Sequence, residues 1–246
     1  MDLASHIDRI VNSLRLMTFT DQSPDTEASE PESVTRALAP FRNRQTVEQL
    51  VVPMLKTGLK KYYEVDENGD LETKVSVVVA YSFEVCMVMS LQFIGVAYYE
   101  SRVRFAAHFS PLSAPLSGRV AVEVDGEPRK VAGAKDSQWV RDRLELEHTK
   151  SPTVNEVLLS DSATGNIYEG LSSNFFAIYR GDAGAGRSAT VHTAPLEFVL
   201  QGTVMKAVLT VCERDDIPVQ WQFPNIEDAR EGKWEGSFVS SEYCVQ

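Results

Sequence analysis

The short apolar runs between residues 155 and 178 constrain this chain more than anything else in it. Asn155-Glu156-Val157-Leu158-Leu159-Ser160-Asp161 is followed by a turn at Thr164-Gly165-Asn166, a run ending at Tyr168-Glu169-Gly170, and Asn174-Phe175-Phe176-Ala177-Ile178. These runs read as paired strands. One carboxylate, Glu169, closes the second of them. Beside it Gly170-Leu171-Ser172-Ser173 is small and hydroxyl-bearing, a segment where backbone can approach a ligand closely.

The rest of the chain alternates helical and strand patterns. Residues 3–17 place Ile7, Ile10, Val11 and Leu14 on one face of an amphipathic helix. The run 18–33, rich in Asp, Glu, Ser, Thr and Pro, reads as a mobile loop. A second helical pattern covers 44–63 with an interruption expected near Pro53. Glu67-Asn68-Gly69-Asp70 is a hairpin turn leading into a β-branched strand over 74–82. The segment 75–99 is long and apolar enough to suggest a membrane span. Ser82, Glu84, Ser90 and Gln92 lie inside it, which favours two strands or a strand with an insertion. Strands follow at 103–112 and 120–124, then a turn at Asp125-Gly126.

Beyond the runs first described, strands are expected at 190–193, 219–223 and 237–241, with a flexible hairpin loop at 181–186. One long helix, 203–214, carries Val204, Ala207, Val208 and Val211 at helical spacing. This mixture implies an α+β protein of two domains, a small α/β domain over 1–130 and a larger one over 135–246, joined through 129–135.

The net charge of −11 and pI near 4.9 argue against general affinity for nucleic acid or an anionic membrane. An anionic cofactor is not excluded, because local groups hold it. Cys86, Cys212 and Cys244 have no paired spacing, which points to a reducing compartment without a disulfide framework. His6, His108, His148 and His192 show no ligand spacing, so no metal site is expected. No cationic-then-apolar signal opens the chain, and a cytoplasmic location is expected.

The segment around Glu169 resembles the signature of the class IV (fold type IV) pyridoxal-phosphate aminotransferases, the branched-chain and D-amino-acid aminotransferase group. Four other segments, in the same order as in that group, are similar to its further parts. Ala132-Gly133-Ala134-Lys135, continuing through Trp139-Val140-Arg141, is similar to the lysine segment of a plant and fungal branch. His6 to Arg15 is similar to the helix whose arginine grips the cofactor phosphate, with Arg9 on that arginine. Val199 to Lys206 is similar to the loop and helix start whose amides take the same phosphate. Phe238-Val239-Ser240-Ser241 resembles a late strand with phosphate-reaching hydroxyls.

The resemblance implies a two-domain α+β fold of type IV, pyridoxal 5′-phosphate as cofactor, and a homodimer acting on an amino acid and a 2-oxo acid. It implies Lys135 as the catalytic lysine and cofactor contacts from Arg9, Lys135, Glu169, Ser173, Thr203, Val204 and Ser240. The chemistry suits those residue types. Lysine gives a neutral amine readily when desolvated near cations, here Arg141 and Arg143. A carboxylate facing the pyridine nitrogen keeps it protonated. Phosphate is met by a guanidinium and by helix N-terminal amides.

Taken singly, the same residues read as a surface lysine, a turn carboxylate, a helix-face arginine and an edge strand. The chain also departs from the group. It opens almost on the phosphate-arginine helix, so the small domain reads as incomplete, and it stops soon after the late strand. Val204 stands where many relatives have threonine, and no arginine occurs in 74–82. Aminodeoxychorismate lyase-type elimination, and a non-catalytic binding module, stay open as alternative functions.

Overall fold

Ile7, Val11 and Leu14 fall on one face of a helix, α1 (Leu3–Leu16), and need an apolar partner. A computed structural model describes residues 2–20, 29–65, 72–83, 102–112, 118–181 and 189–241 of the chain. After α1 come α2 (Glu32–Leu38), a 3₁₀ turn over Ala39–Arg42, and α3 (Arg44–Val65), whose Val47, Val51 and Leu55 cover the α1 stripe. Strands β1 (Thr73–Tyr81) and β2 (Val103–Pro111) pair antiparallel in continuous register, from Thr73 opposite Pro111 to Tyr81 opposite Val103. Val75, Val77, Phe105 and Phe109 pack on the α1–α3 core, while Val79, Tyr81 and Val103 pack on Val34 and Leu38 of α2.

Two expectations change here. The helix 44–63 is not interrupted: α3 runs through Pro53. Pro53 and Gln49, one turn back, are both exposed, so the carbonyl that loses its donor can be hydrated. Helix α2 and the 3₁₀ turn have too few apolar positions to show a period in sequence; they form because Val34 and Leu38 find a buried partner in Val103.

An ion pair fastens this unit. Arg42 donates both terminal nitrogens to the Glu30 carboxylate at 2.7 Å each, and its Nε to the Leu14 carbonyl at 2.7 Å. The Thr35 hydroxyl and Phe19 amide also donate to Glu30, and these contacts, Arg42 foremost, hold its carboxyl down to about 2 from an ordinary 4.5. A depressed pKa stabilises the fold above the unfolded value and loses that contribution as pH falls. Glu30→Gln should therefore cost about 1–2 kcal/mol at pH 7. The gap from wild type should close as pH drops from 4.5 toward 2, as followed by urea unfolding at stepped pH.

The remaining elements form a second unit. In chain order they are β3 (Val122–Val124), α4 (Gln138–Asp142), α5 (Leu144–Thr149), β4 (Glu156–Asp161), β5 (Asn166–Gly170), β6 (Asn174–Arg180) and β7 (Ala189–Thr193), then α6 (Thr203–Arg214), β8 (Val219–Trp221), α7 (Ile226–Arg230) and β9 (Trp234–Ser240). The sheet runs β3-β4-β5-β6-β7-β8, and β9 pairs with β6. Its two parallel pairs, β3–β4 and β7–β8, are each bridged by helix, as parallel strands require. Helices α4, α5 and α7 depart from the expectation of one long helix, being too short to show a period.

Met205 and Cys212 of α6 bury against Phe176 and Val191 of the sheet. Phe176 stacks on Phe238, its cross-strand partner, with ring centres 4.7 Å apart.

The units divide between Ser113 and Ala114, earlier than the 129–135 connection read from sequence. The reason is β3, which pairs with β4 from Val122 opposite Glu156 to Val124 opposite Leu158. Half of the loop 18–33, the turn 67–70, the apolar segment 84–100 and nearly all of 181–186 lie outside the described residues. No described helix is long and apolar enough to cross a membrane. The mixed α+β class is as expected.

Candidate functional site

Glu169, next to last in β5, is buried at 3% exposure, and a buried carboxylate must be paired. Its Oε1 accepts from Arg129 Nε at 2.7 Å and Nη2 at 2.5 Å, and its Oε2 from the Leu200 amide at 3.0 Å. Burial pushes the Glu169 carboxyl up, and the Arg129 charge and the Leu200 amide pull the other way. Arg129 is itself buried, its side chain 8% exposed.

The guanidinium that holds Glu169 also holds the lysine segment. Arg129 Nη2 donates to the Ala132 carbonyl at 2.8 Å and Nη1 to that of Ala134 at 3.4 Å, the residue before Lys135. Arg129 also lies over the Trp139 ring of α4, 5.3 Å from its centre. Trp139 Nε1 donates to the Leu171 carbonyl at 2.9 Å, and Arg143 to the same oxygen at 3.0 Å. The exposed Lys135 is thus carried on a loop fastened before it to Glu169 and after it to the turn that follows Glu169. Arg141 bonds Gln138, and Arg143 also pairs with Glu147, so the cation built into the lysine loop is Arg129.

A second buried carboxylate stands behind that turn. Glu156 Oε2 accepts from the Ser173 hydroxyl at 2.8 Å and from Ser172 at 3.1 Å, and Oε1 accepts from the Val157 amide at 3.0 Å. Gly170 makes the arrangement fit: a Cβ there would come within 2.2 Å of Ser173 Oγ and 2.9 Å of the Glu156 carboxyl carbon. Gly170→Ala should cost about 1–3 kcal/mol in thermal or urea unfolding through overpacking. A value near zero would mean that the Glu156 pocket is looser than the contacts indicate.

Glu169 pairs across the ladder with Asn174, and Asn174 with Ser240, so these three form one row over β5, β6 and β9. Two strand spacings put the ends of the row roughly 10 Å apart. Asn174 Nδ2 donates to the Leu200 carbonyl at 2.7 Å. Directly opposed residues share a face, so the Ser240 side chain stands on the Asn174 side of the sheet. Ser240 is 6% exposed and its hydroxyl has no hydrogen-bond partner. The chain then passes Gly202, the N-cap of α6, which makes no side-chain cap, and enters the helix at Thr203 and Val204. The first amides of a helix have no intrahelical acceptor and favour an anion.

Glu169 and Ser240 thus stand on one row of β5, β6 and β9. Leu200 bonds that row three residues before the helix start at Thr203, and the loop of Lys135 is tied to Glu169 through Arg129. Ser173 lies one step back with its proton committed to Glu156. Arg9 lies on α1 in the other unit, where its Nη2 is 2.9 Å from His6 Nδ1. Arg129 and Asn174 were missed in sequence. The signal for Arg129, a single arginine six residues before the lysine, becomes specific only once its partner forty residues away is known. Nothing local marks Asn174 out from a strand-start asparagine.

No protein-family model and no curated protein matches the sequence. Among solved structures the chain is similar to an aminotransferase of Brucella abortus bound to pyridoxal phosphate, at 16% identity and TM-score 0.63, over 99% of this chain and 73% of that one. It is similar to a fold IV transaminase of Curtobacterium pusillum at 18% identity and TM-score 0.60, over 100% and 69%. It is also similar to a proposed 4-amino-4-deoxychorismate lyase of Legionella pneumophila at 10% identity and TM-score 0.59, over 96% and 72%. At such identities the likeness is one of fold. The chain has the mixed α+β fold of the fold type IV transaminases.

Proposed function

We propose that the protein is a pyridoxal-phosphate enzyme of the class IV aminotransferase kind, exchanging an amino group between an amino acid and a 2-oxo acid. The observation that carries this reading is the Arg129 bridge, which sets the loop of an exposed lysine against a buried carboxylate. The other residues fit the cofactor as well. Ser240 offers a buried hydroxyl without a partner, at the end of the row away from Glu169. The α6 start offers amides, and Gly202 lets backbone come close.

When bound, the cofactor supplies an electron sink for bond breaking at the substrate Cα. The chain's residues do the rest. Glu169 holds a proton on the pyridine nitrogen, with Arg129 fixing which way the carboxylate points. Lys135 would supply the amine group that anchors the cofactor and, as general base, would carry the proton at the substrate Cα. The amides of Thr203 and Val204 and the Ser240 hydroxyl would hold the phosphate. Ser173, whose proton goes to Glu156, enters as an acceptor and holds the turn behind Glu169. A homodimer belongs to the same proposal.

Adding pyridoxal phosphate to folded protein should give a yellow species that bleaches with an amine donor and releases a 2-oxo acid. The Legionella likeness favours a second reading, lyase chemistry on the same residues. Pyruvate release from aminodeoxychorismate, without 2-oxo acid from simple donors, would select it. Folded protein that stays colourless would overturn both.

A further inference from the structure

We propose that Asn174 is a positioning residue that joins the Glu169 end and the α6 end of the site into one piece through the peptide unit of Leu200. The inference rests on the cofactor reading for what is positioned, and on geometry for how. Val199, at φ −139 and ψ 157, and Gly202, at φ −72 and ψ 156, are extended, and residues 199–202 belong to no strand. Backbone groups outside a ladder need partners from elsewhere. At Leu200 both partners are side chains of the sheet row: Glu169 takes the amide at 3.0 Å, and Asn174 gives to the carbonyl at 2.7 Å.

The same asparagine meets the next step of the chain. A Cβ on Gly202 would stand 2.8 Å from Asn174 Oδ1, so the cap of α6 rests against this amide. Asn174 is also the cross-strand partner of both Glu169 and Ser240. One side chain therefore touches Leu200 and the Gly202 cap and stands across the ladder from Glu169 and Ser240. Without it the Leu200 carbonyl loses its partner and the α6 amides lose their distance from Glu169. Ring recognition at Glu169 still has Arg129 to orient it.

The consequence is selective. Asn174→Leu, of similar size but without hydrogen bonds, should weaken pyridoxal phosphate binding about 10–100-fold. Binding of pyridoxal, which lacks the phosphate, should change by less than about threefold. Gly202→Ala, which pushes on Asn174 from the other side, should give the same pattern, and the double variant should add little to either. Amide hydrogen exchange at Leu200 should quicken in each variant while the melting transition stays cooperative.

Equal losses for both ligands, or no loss, would overturn the proposal, as would unchanged Leu200 exchange in a folded variant. If Asn174→Leu does not fold, Gly202→Ala decides alone. The exchange measurement needs no cofactor. Wild-type protein that binds neither ligand would therefore refute the functional reading, while Leu200 exchange still judged the clamp.

Discussion

Lys135→Ala should abolish the pyridoxal-phosphate colour and lower amino transfer by at least about 10²–10⁴-fold, the usual range for a lost general base, with the lost covalent anchor adding to it. Borohydride reduction of loaded wild-type protein, followed by peptide mapping, should put the label on Lys135 and leave the variant unlabelled. Lys135→Arg should not rescue, because a guanidinium stays charged and forms no bond to an aldehyde under these conditions. The loop around Lys135 is held by Arg129, Trp139 and Arg143, so the variant should still fold, which urea unfolding checks. A label on another lysine would end the proposed mechanism.

Arg129→Met should be the most destabilising single change in this region. It leaves Glu169 buried without its cation, a loss of about 3–5 kcal/mol. It also removes the donors to the Ala132 and Ala134 carbonyls, freeing the loop that presents Lys135. Urea unfolding should show the loss of stability, and labelling of Lys135 by pyridoxal phosphate should fall with it. Replacing both partners, Arg129→Met with Glu169→Leu, should unfold less readily than Arg129→Met alone, since no uncompensated charge remains. Arg129→Lys should restore charge but only part of the stability, because one ammonium cannot reach a carboxylate and two carbonyls in a fork. Equal stability of Arg129→Met and wild type would mean that water already compensates Glu169.

What could be read in advance follows from how local each signal is. Helix α6 is legible to its ends because Val204, Ala207, Val208 and Val211 repeat at helical spacing after a glycine. The strands β4, β5 and β6 are legible from turns and β-branched or aromatic runs. Helix α2 is not, since two buried residues one turn apart make no pattern without Val103 from another element. Pro53 misleads for the opposite reason: its local rule is sound, and the exposed side of α3 absorbs it.

At the site, Lys135 and Glu169 can be singled out by family likeness, yet the bond network that joins them cannot. Arg129 pairs with Glu169 across forty residues, and Leu200 reaches it across thirty-one. Glu156 shows the same gap. The apolar run after it marks it as a strand residue, and only the fold reveals a carboxylate buried under two serines.

Strand β3 decides where this protein can be divided. Ala121 and Asn155 exchange hydrogen bonds in both directions, amide to carbonyl at 2.8 Å and amide to side chain at 2.9 Å. The Asp125 amide reaches the Leu158 carbonyl at 3.0 Å. A C-terminal fragment begun at residue 130 would strip these bonds and leave a bare edge on β4, inviting aggregation. One begun near Arg119 would keep its border strand, making it the better starting point for expressing that half alone.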